Sequence, residues 1–145
     1  MNSGGRTFNH RATHVLVLVM VAMLFASCGG ALKQPKPPSP DDLIRTGAGL
    51  YQANCQVCHG DATGGKLKDI PPPHNANGHT WHHADQQLTN MTLNGISFSV
   101  EEQKMPAFKD KLSEEDVKAI LAYIKTWWTE EQRAWQRKVT EEWDR

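Results

Sequence analysis

The chain has 145 residues, 22% of them charged, with 16 basic and 16 acidic side chains and three cysteines. That length sets one domain with short appendages. The balanced charge speaks against a nucleic-acid partner, because phosphate binding needs clustered positive charge.

Residues 1–27 read as a signal peptide. Arg6 and Arg11 form a positive start, and residues 15–26, "VLVLVMVAMLFA", are an unbroken apolar run. The run is too short to cross a bilayer as a helix, which takes about 20 residues, and suits the apolar region of a signal sequence. It ends in "LFASCGG", which resembles the lipobox of bacterial lipoproteins, with Phe25 in place of the usual leucine. Cys28 is therefore a candidate lipidation site. The alternatives are signal cleavage nearby or a retained N-terminal anchor. Each puts the remainder outside the cytoplasm, in the periplasm or on the outer face of the cell membrane. Removing residues 1–27 takes away Arg6 and Arg11 and no acid, so the rest of the chain is slightly acidic.

Residues 28–40 are a proline-rich linker that favours extended polyproline II. Helix is expected from about Asp41, where proline and acids suit an N-terminus. Leu43, Gly47, Leu50 and Tyr51 share one face of it, and Gly47 is the better of the two helix glycines for a close helix approach. Residues 60–83 read as a long loop, since "GDATGGK" and "IPPPHNANGHT" hold turn formers and a proline triplet. "ADQQLTNMTLNG" predicts a short helix stopped at Asn94 and Gly95, with Met91 on its core side. "SEEDVKAILAYIKTWW" predicts the clearest helix, with a Ser113/Asp116 capping box and a buried stripe of Val117, Ile120, Leu121, Ile124 and Trp128. The tail, residues 129–145, predicts a further helix with a Thr129/Gln132 box and a stripe of Gln132, Trp135, Val139 and Trp143. It is expected to pack on its own domain, with docking on a partner as the alternative. No alternating strand pattern of useful length and no internal repeat is present. The fold class is all-α.

Such short helices and a long loop bury little apolar surface, and a domain of this kind needs a staple or a large ligand at its centre. "NCQVCHGDATGG" offers one. Cys55 and Cys58 with His59 behind them fit a zinc half-site, a redox dithiol or covalent haem attachment. Zinc wants a second ligand pair, and His82 and His83 are adjacent and diverge. A thioredoxin-like dithiol expects strands around the motif. Haem attachment accounts for every position: two thioethers to the porphyrin and an axial imidazole from His59. A second axial ligand is then expected downstream. "KMPAF" provides Met105 in a non-helical segment, with Pro106 favouring extended backbone there.

With these motifs the chain resembles the small class I c-type cytochromes over residues 41–128. The resemblance rests on "CQVCHG", "KMPAF" and the pairing of a Gly47/Tyr51 helix with an Ile120/Tyr123 helix. It implies one covalent haem c held by Cys55 and Cys58, with His59 and Met105 as the iron ligands. It also implies that a carbonyl in the proline-rich loop, from Pro71 or Pro72, accepts the proton of His59. Trp81 is a candidate propionate contact through its indole N–H, and His79, His82 or His83 are alternatives there or at the sixth position. The implied protein is an electron carrier between extracytoplasmic or membrane redox partners, tethered through its N-terminus, and not an enzyme. The alternatives are a haem subunit of a larger oxidoreductase complex and a haem-based gas or redox sensor.

Overall fold

The computed structural model describes residues 36–65, 71–97 and 104–145. The signal segment, Cys28 and most of the linker lie outside the described residues. Ser39 opens the first helix, α1 (Pro40–Asn54), by accepting from the Asp42 N–H, and Asp41 and Asp42 meet its positive end. The chain turns directly into a four-residue helix, α2 (Gln56–His59), which Gly60 stops at φ 76°. A 3₁₀ turn (Thr80–His82) lies in the long loop, and α3 (Asp85–Asn94) follows. Two very short strands, β1 (Ile96–Ser97) and β2 (Lys104–Met105), pair antiparallel with Ile96 opposite Met105. They were not expected, because two residues cannot show an alternation. The chain ends with α4 (Glu114–Ile124), a 3₁₀ turn (Lys125–Trp127) and α5 (Glu130–Trp143). The architecture is the all-α one expected, and residues Pro37–Arg145 belong to one unit.

The core forms where α1 meets α4. A Cβ on Gly47 would lie 1.9 Å from the carbonyl oxygen of Ala119, so the two backbones touch there only because glycine has none. A Cβ on Gly49 would meet nothing within 4 Å. Tyr51, Tyr123 and Trp127 pack edge to face beside the crossing, with ring centroids 5.0–5.8 Å apart. The α4 stripe of Val117, Ile120, Leu121 and Ile124 is buried, as is Trp128. Ser113 and Asp116 form the expected capping box.

Helix α5 packs back on the domain, against the 3₁₀ turn at Thr80 and against α3. It does so with a face that keeps Gln132 of the expected stripe but turns both tryptophans outward. Trp135 and Trp143 are 51% and 59% exposed, whereas Gln136 is 1% exposed. The inward residues are Gln132, Gln136 and Thr140, and they meet backbone and polar groups: Gln132 Nε2 donates to the Ala76 carbonyl at 2.9 Å. Gln136 Nε2 lies 2.6 Å from Asp85 Oδ1, 3.0 Å from Thr140 Oγ1 and 3.3 Å from the His83 carbonyl. The Asp85 N–H donates to Thr140 Oγ1 at 3.1 Å. The partner surface is hydrogen-bonding loop, so polar side chains fit it better than tryptophan does.

Candidate haem-binding site

Residues 55–59 leave α1 and turn through α2, which brings Cys55, Cys58 and His59 to one end of the core. Cys55 is buried and Cys58 exposed, and both are free thiols. Burial first, and the neighbouring Cys58 second, push the Cys55 thiol up to about 11. Tyr51 fixes the turn that follows by donating its hydroxyl to the Gly60 carbonyl at 3.0 Å. Gly60 itself has no room for a side chain, since a Cβ would lie 2.0 Å from the Gly64 carbonyl oxygen.

His59 is 7% exposed, and its Nδ1 lies 2.8 Å from the carbonyl oxygen of Pro72. A carbonyl can only accept, so Nδ1 carries the proton and Nε2 keeps a free lone pair. Burial lowers the pKa of the ring, and the Pro72 bond offsets part of that. A neutral imidazole with its lone pair directed away from an anchored Nδ1 is the state a metal ligand needs. Pro72 is one of the two prolines that the family resemblance implied for this bond.

The loop that supplies Pro72 is well tied. Asn75 Nδ2 donates to the Ala62 carbonyl at 3.1 Å and its Oδ1 accepts from Asn77 N–H at 3.0 Å, joining the two limbs of the loop. Trp128 Nε1 donates to the His74 carbonyl at 2.8 Å. The His74 ring stacks on the His59 ring, with centroids 4.1 Å apart and planes 26° apart. Its Nδ1 lies 2.8 Å from Thr80 Oγ1. Burial, then the adjacent His59 and His79, push the His74 pKa down to about 3. Sequence reasoning passed over His74. The available signal was its place directly after the proline triplet expected to serve His59.

Met105 sits in β2, where its partner strand holds it extended opposite Ile96. It lines a cavity of about 460 Å³ with Asn94, Gly95, Ile96, Ser97, Lys104 and Pro106. Beyond it, the Phe108 and Lys109 N–H groups donate to the last carbonyls of α3, Thr92 and Leu93, which fastens the "KMPAF" segment to that helix. Met91, on α3, is half-buried.

The remaining candidates are engaged locally. The indole N–H of Trp81 donates to the Gly78 carbonyl at 3.0 Å, a bond a propionate would have to compete with. His82 stacks on Trp81, His79 and His83 pack edge to face, and His83 Nδ1 lies 3.1 Å from Gln87 Oε1. Among the described residues, no group of three or more His, Cys, Asp or Glu side chains is spaced to hold a metal ion. No described helix is long and apolar enough to cross a membrane.

The residues present fit a covalently held haem: two free thiols flank the turn, and a buried neutral imidazole has no hydrogen-bond partner on its second nitrogen among the described residues. Known proteins agree in kind. The family described as "Cytochrome C oxidase, cbb3-type, subunit III" matches residues 42–124. One of the subunits of nicotinate dehydrogenase from Pseudomonas putida is 28% identical over 95 residues, which are 64% of this chain and 8% of that protein. This chain thus spans a small part of that relative. The crystal structure of cytochrome CL from the marine methylotrophic bacterium Methylophaga aminisulfidivorans superimposes with a TM-score of 0.51 at 22% identity. That match covers 66% of this chain and 61% of the other and concerns the fold alone.

Proposed function

The chain belongs to the family described as cytochrome c oxidase, cbb3-type, subunit III, a c-type cytochrome family, and from that premise we propose a one-haem, class I electron carrier. Cys55 and Cys58 would hold the haem through thioethers, and His59 and Met105 would be its axial ligands. The observation that carries this reading is the His59 geometry, with Nδ1 held by Pro72 and Nε2 left to bind, in the same turn as both thiols. Bound there, the haem supplies a one-electron ferric/ferrous couple, and Met/His ligation raises its potential.

The chain's own residues supply position and enclosure. Pro72 fixes the tautomer of His59 and the direction of its free nitrogen. Tyr51 and Gly60 keep the Cys55–His59 turn closed against α1. The strand pairing at Ile96 holds Met105 on a stiff segment. With both axial positions filled by protein, no position remains for substrate, which makes the protein a carrier and not an enzyme. Redox proteins are its partners, a donor on one side and an acceptor on the other. The domain, residues 41–128 with the 129–145 extension, works outside the cytoplasm, tethered through its N-terminus by lipid on Cys28 or by a retained anchor.

A second reading, a haem module of a larger oxidoreductase, is favoured by the likeness to a dehydrogenase subunit of which the matched stretch is only 8%. In that reading the outward face of the 129–145 extension, with the exposed Trp135 and Trp143, would meet other subunits. Purification from membranes separates the two readings, since a carrier comes away alone.

The test is spectroscopic. The protein should carry one covalent haem per chain by pyridine haemochrome and mass, and the Cys55→Ala/Cys58→Ala variant none. Ferrous wild type should not bind carbon monoxide, and Met105→Leu should. A wild-type chain that matures without covalent haem would defeat the proposal. Binding of carbon monoxide by wild type would remove Met105 from it.

A further inference from the structure

Nothing in the ordinary requirements of an axial histidine explains the ring stacked upon it, or the helix that holds that ring's loop. We infer that His74 is a positioning residue that fixes the plane of the His59 imidazole, and that α5 holds His74 in place. The inference rests on the reading of His59 as an iron ligand.

One hydrogen bond, from His59 Nδ1 to Pro72, sets the direction of a nitrogen but leaves the ring able to tilt about that bond. A second flat ring lying face to face at 4.1 Å removes that freedom, because tilting drives one ring into the other. His74 can act as a stop only if it is itself fixed, and it is held at both ends. Its ring nitrogen bonds the hydroxyl of buried Thr80 at 2.8 Å, and its carbonyl accepts from the indole of buried Trp128 at 2.8 Å. Tyr51 stands edge-on to it, with centroids 6.1 Å apart.

The same loop is gripped from outside by α5. Gln132 bonds the Ala76 carbonyl, two residues past His74. Gln136 reaches Asp85 and the His83 carbonyl, just beyond the turn that carries Thr80. Thr140 takes the Asp85 N–H. These bonds bury little apolar surface. They set the position of a backbone, and the backbone they set carries His74 and its partner Thr80.

The plane of an axial imidazole governs the spin distribution over the porphyrin, so ferric g-values and the order of the haem methyl proton shifts report it directly. Loss of stability alone does not move them. Wild type is recorded first: covalent haem with His59 and Met105 bound supports the underlying reading, and its absence sinks that reading and this inference together. His74→Leu should then reorder the methyl shifts and change the g-values with haem still attached. His74→Phe, which keeps a flat ring, should return them toward wild type. Gln132→Ala/Gln136→Ala, which replaces no residue in contact with His59, should move them in the same direction by less. His74→Leu with wild-type shifts and g-values would overturn the inference while leaving the haem reading intact. Should His74→Leu fail to mature, a wild-type pattern in the glutamine pair would overturn it equally.

Discussion

Helix α4 enters the domain with Val117, Ile120, Leu121 and Ile124, and α5, only a turn later in the chain, enters with Gln132, Gln136 and Thr140. Both begin with a complete capping box, so neither needs its packing to start. What differs is the surface each meets. Helix α4 crosses α1 at Gly47 and gains by removing apolar area from water, which is strong and tolerant of direction. Helix α5 lies on a loop that offers carbonyls and on the start of α3, which offers a carboxylate, where the gain is smaller per contact and depends on geometry. One helix provides stability and the other provides position.

The largest way to break this contrast is at the crossing. Gly47→Val adds a Cβ 1.9 Å from Ala119 O and 2.4 Å from its carbonyl carbon, both backbone atoms that cannot turn aside. Unfolding of the haem-loaded protein should show a loss of about 3 kcal/mol or more, at the top of the overpacking range. Gly49→Ala is the control, with open space around it, and should gain up to about 1 kcal/mol from helix propensity. Equal losses at the two positions would mean that the close approach is not what matters.

Next comes a matched pair, one residue from each helix. Ile120→Ala should cost about 2–5 kcal/mol through lost burial and a cavity. Gln136→Ala should cost about 1–3 kcal/mol by removing its hydrogen bonds to half-buried acceptors, one of them a carboxylate. Denaturant melts at one pH compare them, and a glutamine as costly as the isoleucine would erase the distinction between the helices.

Gln132 gives a finer test. Its Oε1 accepts from the Thr129 N–H to complete the cap, while its Nε2 donates to Ala76. Gln132→Glu keeps the cap and removes the donor, setting a carboxylate against a carbonyl. About 1 kcal/mol should be lost, with helix content measured by circular dichroism unchanged. A drop in helix content would show that the cap, not the loop bond, was disturbed.

The smallest effect separates the two caps by pH. Hydrogen bonds from the Ser113 backbone and hydroxyl hold the Asp116 carboxyl below its ordinary 3.8. Its folded value is depressed, so its contribution is present above about 3.8 and is lost as pH falls through the folded value. The α5 box has no titrating member. Ser113→Ala should therefore flatten the acid limb of stability slightly, and Gln132→Ala, which opens the α5 box while leaving the Thr129 hydroxyl on the Glu131 carboxyl, should lower stability without changing that limb's slope.

Side-chain pattern carried the reading wherever side chains meet side chains. The capping box of α4, its five-residue stripe, the choice of Gly47 over Gly49 and the Asn94/Gly95 stop all follow from spacing and residue type. The Cys-x-x-Cys-His order and the "KMPAF" segment stand out in the sequence because the chemistry expected of them requires those residues in that order. Three features were not legible, for one reason. The inward face of α5, the Ile96–Met105 pairing and the bond from Trp81 to Gly78 all involve backbone groups as partners, and a sequence shows no backbone. The expected stripe of Gln132, Trp135, Val139 and Trp143 has the higher apolar contrast, yet the surface opposite has carbonyls to satisfy, and of the four it is Gln132 that bonds one. His74 was overlooked because stacking on His59 depends on how the proline triplet turns the chain.

Trp128, extended between the 3₁₀ turn and α5, separates these two modes of attachment. Because α5 is joined to the rest mainly through a few polar bonds and starts from its own cap, it can detach as a unit while the α1–α4 crossing stays closed. Amide hydrogens in α5 are then expected to exchange through a subglobal opening, below the free energy that releases those of α4. The domain would thus open first at the loop beneath α5 and last at Gly47, a hierarchy that lets the surroundings of His59 breathe without unfolding the core.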